Sequence, residues 1–309
     1  MEGYLVALMT RSARTLLLEG ESDKIIVSRV IRELEEEGSV AKKTTVIDTA
    51  ELIKVSSRTI GNREKVEEAH AEATNEGISL AALVDREFRE FQTDVLVEDR
   101  LRSHKVVPPN LFWTRGHSIE NYFFEISYFI ENLKLHFSED LTPGMLELVK
   151  QNFPSIILES AAISLSAYKT GLIGRSDKLI RKEWWKRDNQ TEMSISFPHL
   201  SSGLISRGAT QIQATEMEEA SVIFKQRLLT SDVHLRKWIA HGHLGTDLLW
   251  TGIAKLLEEE GCSQKSVEQV AYGQNAGKLR CASSSWANSI IKETTESPTA
   301  LWQWYMVDK

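Results

Sequence analysis

The sequence predicts an α/β domain over residues 1–125, followed by a mostly α-helical domain over residues 126–309. The first observation is a pair of short apolar runs, at residues 16–18 and 78–84, each of which ends in acidic residues. Strands that are buried on both faces of a parallel sheet have such continuous apolar sequences. The second observation is the alternation of strand-like and helix-like segments, which is typical of parallel sheets with right-handed crossovers.

Local patterns place the remaining elements of the first domain. Apolar residues at helical spacing predict a helix over 23–37, and a charged segment that ends before a glycine predicts another over 62–75. Thr, Val and Ile at 44–48 predict a strand, and a short apolar run predicts another at 111–113. The expected sheet is therefore parallel and flanked by helices.

Helical periodicity dominates the second domain, where the strand-like pattern fades after residue 122. A segment rich in serine and glycine, at 198–208, is the long loop that we expect there. The expected helices cover residues 123–136, 142–152, 156–169, 216–229, 233–239 and 247–260.

Acidic residues follow two of the predicted strands. Glu19 follows the first apolar run, and Asp85 and Glu87 follow the run at 78–84. Open α/β sheets bind ligands at the carboxyl ends of their strands. Clustered carboxylates repel one another unless a cation relieves the repulsion, and oxygen ligands suit Mg²⁺ or Mn²⁺. The three residues together predict a metal site, whereas each taken singly is better explained as a helix cap or a solvated turn.

The acidic strand ends resemble the motifs of Toprim domains, the metal-binding fold of topoisomerases, bacterial primases and overcoming-lysogenization-defect (OLD) nucleases. The family has Glu-Gly after its first strand and Asp-x-Asp after a later one. Here Glu19-Gly20 and Asp85-Arg86-Glu87 occupy those places. Glu87 stands where the family has aspartate, which keeps the carboxylate oxygens but lengthens the side chain by one methylene.

A third motif narrows the resemblance. The sequence His-Ser-Ile-Glu-Asn-Tyr at 117–122, with Asp-Arg-x-Phe at 85–88, is similar to the DUF4435 branch of Toprim proteins, which includes the effector of the PARIS antiphage system. This resemblance covers roughly residues 1–125. It implies a toxin of antiviral defence: an endoribonuclease that cleaves host tRNA, is restrained by an ABC-type or AAA-like ATPase subunit, and acts as a homodimer once released.

The expected chemistry is metal-dependent phosphodiester cleavage. Glu19 and Asp85 would hold Mg²⁺ with support from Glu87, and the ion would activate water and neutralise charge on the phosphate. Glu120 would be a further ligand or hold a metal-bound water, and His117 would contact the scissile phosphate. A capping or packing role explains His117 at least as well. Two alternatives stay open: a DNA nuclease of the OLD kind, and a non-catalytic regulatory or scaffold subunit.

Composition and charge limit the functional classes. The net charge of −7 argues against a broadly basic DNA coat, but not against a nuclease with a local basic path. Cys262 and Cys281 fit neither a disulfide framework nor a zinc pattern. Without a signal-peptide pattern or an apolar run of membrane-spanning length, we expect a cytoplasmic protein that has no membrane partner. The sequence contains no Walker-type glycine loop, so any use of ATP would fall to a partner.

Two other clusters have competing interpretations. Basic residues at 178–187 accompany Trp184 and Trp185, which is typical of contact with phosphates and unpaired bases or of a helix with tryptophans in the core. The core interpretation is slightly favoured. His241 and His243 suggest zinc, but a compact set of further ligands is missing from the sequence, so a helix start explains them better.

Overall fold

The computed structural model describes residues 1–37, 45–54, 60–188, 191–273, 276–292 and 297–306. It confirms the α/β class: a five-stranded, mostly parallel sheet is flanked by helices, and the C-terminal region is helical. Elements are numbered in chain order. The strands are β1 (Arg14–Leu18), β2 (Thr45–Thr49), β3 (Leu80–Val84), β4 (Phe91–Gln92), β5 (Glu98–Asp99), β6 (Val106–Val107), β7 (Leu111–Trp113), β8 (Trp185–Arg187) and β9 (Met193–Ile195).

The described α-helices within residues 21–75, 126–169 and 211–259 are those that the periodicity predicts, with shifted ends, and the other α-helices were not predicted. Short 3₁₀ segments cover Ala50–Leu52, Ile119–Phe123 and Lys182–Trp184. The α-helices are α1 (Glu2–Met9), α2 (Glu21–Glu36), α3 (Asn62–Asn75), α4 (Ile126–Phe137), α5 (Pro143–Lys169), α6 (Ile173–Ser176), α7 (Phe197–Ser206), α8 (Gln211–Thr230), α9 (Leu235–Ile239), α10 (Gly242–Glu259), α11 (Gln264–Tyr272), α12 (Ala276–Ile291) and α13 (Thr299–Met306). The expected first residue of β2, at position 44, lies outside the described residues.

The main sheet has the strand order β2-β1-β3-β7-β6. β1 lies between β2 and β3 and is parallel to both, β7 is parallel to β3, and β6 is an antiparallel edge strand. Residues 16–18 and 80–84 are all buried, which explains why both runs are continuously apolar. The predicted parallel sheet is confirmed. Its antiparallel edge strand was not predicted, because β6 has only two residues and so short a segment shows no strand pattern in the sequence.

The chain divides into two compact units whose limits differ from the predicted domains. The first unit contains Met1–Glu87, Leu101–Ile119 and Leu279–Lys309, and the second contains Phe88–Arg100 and Glu120–Lys278. The C-terminal segment belongs to the first unit because its groups bond there: Arg14 donates to the Trp304 carbonyl, and the Tyr305 hydroxyl donates to Glu35.

Within the second unit, two predictions from local sequence are wrong. The helices expected at 142–152 and 156–169 are one helix, α5, that continues through Pro154. Proline costs about 3 kcal/mol inside a helix, but the apolar residues on both sides of Pro154 are buried, and this burial outweighs the cost. The loop expected at 198–208 is largely α7, because Leu200 and Leu204 lie one turn apart and are both buried.

Candidate functional site

Two carboxylates meet at the carboxyl edge of the sheet. Glu19 follows β1 and Asp85 follows β3, and these strands are paired in parallel, with Leu17 opposite Ala82. The Glu19 carboxylate accepts a hydrogen bond of 2.7 Å from the backbone N–H of Asp85. Both residues are partly exposed. The adjacency of Glu19 and Asp85 that the sequence predicts is therefore present.

The turn after β1 leads directly into α2. The Asp23 carboxylate accepts a hydrogen bond of 3.1 Å from the backbone N–H of Gly20, which caps the start of the helix. Gly20 has an extended backbone, with φ −146° and ψ 172°. The helix start thus follows Glu19 at once, so the fixed backbone of α2 holds the position of that residue.

Asp85 is also held from the loop that follows β7. Its Oδ1 accepts a hydrogen bond of 3.2 Å from the backbone N–H of Ile119. The next residue, Arg86, donates its backbone N–H to the Thr114 hydroxyl at 2.9 Å, and Thr114 donates its own N–H to the carbonyl of Val84. The loops after β3 and β7 are therefore joined beside Asp85, and that carboxylate has a fixed direction.

A buried cation lies next to the candidate site. The Arg86 side chain is fully buried and donates to the Arg115 carbonyl at 3.0 Å. Burial is the main cause that lowers the pKa of His104 to about 4, and the charge of Arg86 adds to it. His104 is therefore neutral at pH 7 and does not compete with Arg86 for anionic partners. The sequence singled out Asp85-Arg86-Glu87 for its carboxylates and gave no sign that Arg86 would be buried.

Glu87 does not join the other two carboxylates. Its carboxylate forms an ion pair with Arg63 of α3, and its backbone N–H donates to the His117 carbonyl at 2.6 Å. Its φ of 53° lies in the left-handed region, which costs a non-glycine residue about 1 kcal/mol. Strain of this kind is common beside functional sites. The role of Glu87 as a metal ligand stays a prediction. It would require that the Glu87 carboxylate leave its ion pair with Arg63.

The two residues expected from the third motif have separate surroundings. His117 belongs to the first unit and is buried, with 7% of its surface exposed. Glu120 belongs to the second unit, where its carboxylate lies 3.2 Å from Nε2 of His243. The hydrogen bond and the charge of Glu120 raise the pKa of His243 to about 9. The catalytic roles of His117 and Glu120 stay predictions.

The donor atoms at the sheet edge fit a hard cation with few protein ligands. Among the described residues, no group of three or more His, Cys, Asp and Glu side chains is placed to hold a metal ion. Mg²⁺ commonly uses one or two carboxylates and completes its shell with waters and substrate phosphates. Glu19 and Asp85 would supply those carboxylates, so the residues fit a two-carboxylate site and not the three-carboxylate cluster that the sequence predicts.

Two members of the basic and aromatic cluster at 178–187 are structural, whereas Lys178, Arg181 and Lys186 are exposed. Trp185 is buried and donates its indole N–H to the Thr251 hydroxyl at 2.9 Å. Lys182 is also buried, and its ammonium group lies 2.5 Å from the Glu258 carboxylate. Neither side chain is presented for contact with a nucleic acid, so the core interpretation applies to both.

The histidines near residue 242 form a helix start. Nδ1 of His241 accepts a hydrogen bond of 3.3 Å from the Leu244 backbone N–H, so His241 is the N-cap of α10. Burial lowers the pKa of His241 to about 4, and the neighbouring His243 adds to this effect. A neutral imidazole is the form that can accept this bond. This agrees with the expected helix start.

Neither a family model nor a curated protein matches the chain. None of the helices in the described parts of the chain is long and apolar enough to cross a membrane. The fold and the site therefore define the class that can be stated, an α/β protein with two carboxylates at the carboxyl edge of a mostly parallel sheet.

Proposed function

We propose that this chain is a metal-dependent phosphodiesterase of the Toprim kind. The observation that carries the proposal is the meeting of Glu19 and Asp85 at the ends of two adjacent parallel strands. The resemblance of Glu19-Gly20 and Asp85-Arg86-Glu87 to the Toprim motifs supports it. The alternative explanation for a single carboxylate is a helix cap. That role would not require Glu19 and Asp85 to lie at the same edge of the sheet.

Backbone donors position the two carboxylates. The Asp85 N–H orients the Glu19 carboxylate, and the Ile119 N–H orients the Asp85 carboxylate, so both acidic groups are held at the same edge of the sheet. A bound Mg²⁺ would supply charge for the phosphate and a more acidic water. Glu87 would act in support after leaving Arg63, Glu120 would hold a further water, and His117 would contact the scissile phosphate.

The favoured substrate is RNA, and host tRNA in particular. This choice rests on the resemblance to the DUF4435 branch and its PARIS effector, which also supplies the proposed setting. In that setting the chain is a toxin of antiphage defence, restrained by an ABC-type or AAA-like ATPase, and active as a homodimer in the cytoplasm. The net charge of −7 favours restraint by a protein partner over contact with nucleic acid across the whole surface.

The decisive experiment incubates the purified chain with tRNA and with double-stranded and single-stranded DNA, in Mg²⁺, in Mn²⁺ and in EDTA. We expect cleavage of tRNA that EDTA abolishes. Glu19→Gln and Asp85→Asn remove charge but keep the oxygen that accepts each backbone hydrogen bond. Each should reduce cleavage at least about 100-fold, since loss of metal or of electrostatic stabilisation costs about that much. Glu51→Gln, at an exposed position, is the matched control.

The outcomes separate the alternatives. Cleavage of DNA but not of tRNA would favour an OLD-like nuclease. Unchanged tRNA cleavage by Asp85→Asn in Mg²⁺ would refute the assigned site, and no cleavage of any substrate by the free chain would favour a regulatory or scaffold subunit. Restraint is tested in cells: co-expression of the cognate ATPase should suppress toxicity, and harmless overproduction of an active free chain would exclude the toxin.

A further inference from the structure

A second candidate site lies within the second unit. It is a cavity of 260 Å³ bordered by α5, α8 and the turn between β4 and β5. The residues that carry the argument are Tyr168, Lys169, Arg227 and Asp94. None of them has a part in the Glu19–Asp85 site, and the phosphodiesterase proposal does not use this cavity.

An aromatic ring is presented at this cavity. Tyr168 is 54% exposed, an unusual degree for a tyrosine ring. Phe88 stacks on it with ring centroids 4.2 Å apart and an interplanar angle of 26°. Phe88 therefore covers one face of the Tyr168 ring and holds the ring in place. Much of the remaining surface of Tyr168 is open to solvent. A fixed ring of this kind is a platform on which a nucleobase stacks.

Two cations border the same cavity. Lys169 and Arg227 each lie close to the Phe224 ring, with their charged groups 5.8 Å and 5.6 Å from its centroid. Arg227 is fixed by a hydrogen bond of 2.5 Å to the Thr93 carbonyl. In the described part of the chain, no carboxylate lies within ion-pair distance of Lys169 or Arg227. Two neighbouring cations that lack a carboxylate partner favour an anionic ligand.

We propose that this cavity binds one nucleotide. Its base stacks on Tyr168, and its phosphate lies between Lys169 and Arg227. Asp94 lines the same cavity and supplies an acceptor for a ribose hydroxyl or a base amino group. The volume lies just below the range of about 300–1,000 Å³ for small-ligand pockets, which suits one nucleotide and excludes a longer folded segment. The nucleotide is either a free mononucleotide or an unpaired residue of a nucleic-acid strand.

Calorimetric titration of the full chain in EDTA tests the proposal, because EDTA prevents metal-dependent cleavage of the probes. The probes are AMP, adenosine, inorganic phosphate and a ten-residue oligouridylate. We expect AMP to bind more tightly than adenosine or phosphate. Tyr168→Ala should weaken AMP binding roughly 5- to 150-fold, the fold-change for loss of one stacked base. Tyr168→Phe keeps the ring and should stay within about twofold of wild type.

A second pair of variants tests the phosphate contact. Lys169→Gln should weaken binding. It should also reduce the slope of log affinity against log salt concentration for the oligouridylate by about one, the loss expected for one phosphate contact. Lys150→Gln, on the exposed side of the same helix, is the charge-matched control and should change neither quantity. Tighter binding of the oligouridylate than of AMP would show that the ligand is an unpaired residue of a nucleic-acid strand. Tighter binding of AMP would show that it is a free nucleotide. Absence of binding by both, equal affinity for phosphate and AMP, or wild-type binding by Tyr168→Ala would each overturn the proposal.

Discussion

Glu19 accepts a hydrogen bond from the backbone N–H of Asp85, and Asp85 in turn accepts one from the backbone N–H of Ile119. This relay links three segments that follow β1, β3 and β7 in the sequence. Each carboxylate therefore has two roles, since it supplies a negative charge at the sheet edge and also satisfies a backbone donor. Substitutions can separate these roles.

The first prediction concerns Asp85. Asp85→Ala leaves the Ile119 N–H without its acceptor, which should lower the free energy of unfolding by about 1–3 kcal/mol. Asp85→Asn keeps an oxygen in place and should lose less than half of that amount, although both variants lose the charge. Urea unfolding followed by circular dichroism measures the difference. Equal stability of the two variants would show that this hydrogen bond contributes nothing.

The second prediction concerns Arg63. Its ion pair with Glu87 is half-exposed, with 30% and 46% of the two side chains accessible, so Arg63→Gln should change stability by less than about 1 kcal/mol. Without Arg63, Glu87 is free to turn toward a cation, and Mn²⁺ should bind severalfold more tightly. Arg32→Gln makes the same charge change at another exposed position. Identical Mn²⁺ affinity in both variants, measured calorimetrically, would exclude Glu87 from the metal site.

The third prediction concerns the His243–Glu120 pair. The pKa of His243 is raised to about 9, above its ordinary value of 6.5. The pair therefore stabilises the fold fully below about pH 6.5, and that contribution is lost as pH rises through about 9. Because His243 is 64% exposed, the pair contributes about 0.2–1 kcal/mol.

His243→Gln should accordingly be less stable than wild type at pH 6 and equally stable at pH 10. Urea unfolding at the two pH values measures this, and an NMR titration of the imidazole reports the pKa directly. A His243 pKa near 6.5 would contradict the ion pair. His234→Gln, at another exposed histidine, provides the control.

The fourth prediction concerns Gly203 of α7. A Cβ there would lie 2.8 Å from the Trp184 ring and 2.9 Å from Leu179. Gly203→Ala should destabilise by about 1–3 kcal/mol, the usual cost of overpacking. Gly174→Ala is the matched control in α6, because a Cβ there meets no atom within 4 Å. It should be neutral or stabilising by up to about 1 kcal/mol. Thermal denaturation separates the two cases, and equal melting temperatures would contradict close packing at Gly203.

The parts of the fold that are encoded locally were predictable. Residues 16–18 and 78–84 are apolar because they are buried on both faces of the sheet, and β1 and β3 occur there. Adjacent parallel strands end at the same edge of a sheet, so the proximity of Glu19 to Asp85 could be predicted from the same pattern. These features depend on short stretches of sequence and on general rules of sheet topology.

Features that depend on distant contacts were not predictable. The ion pair between Arg63 and Glu87 joins α3 to the turn after β3, and nothing in the charged sequence around Arg63 selects that partner. Pro154 is tolerated in α5 because of burial along the rest of the helix, which a local proline rule ignores. The stacking of Phe88 on Tyr168 likewise joins two residues that are 80 positions apart in the sequence.

The discontinuity of the first unit has a consequence for biosynthesis. Arg14 donates to the Trp304 carbonyl, and Glu35 accepts from the Tyr305 hydroxyl, so β1 and α2 lack these partners until 290 and 270 further residues, respectively, have been translated. Chains grow N-terminus first at about 5–20 residues per second. A ribosome-bound fragment carrying both Glu19 and Asp85 would therefore remain an incompletely packed unit for many seconds. For a chain that we propose to be toxic, such late completion would delay activity until a restraining partner can bind the finished molecule.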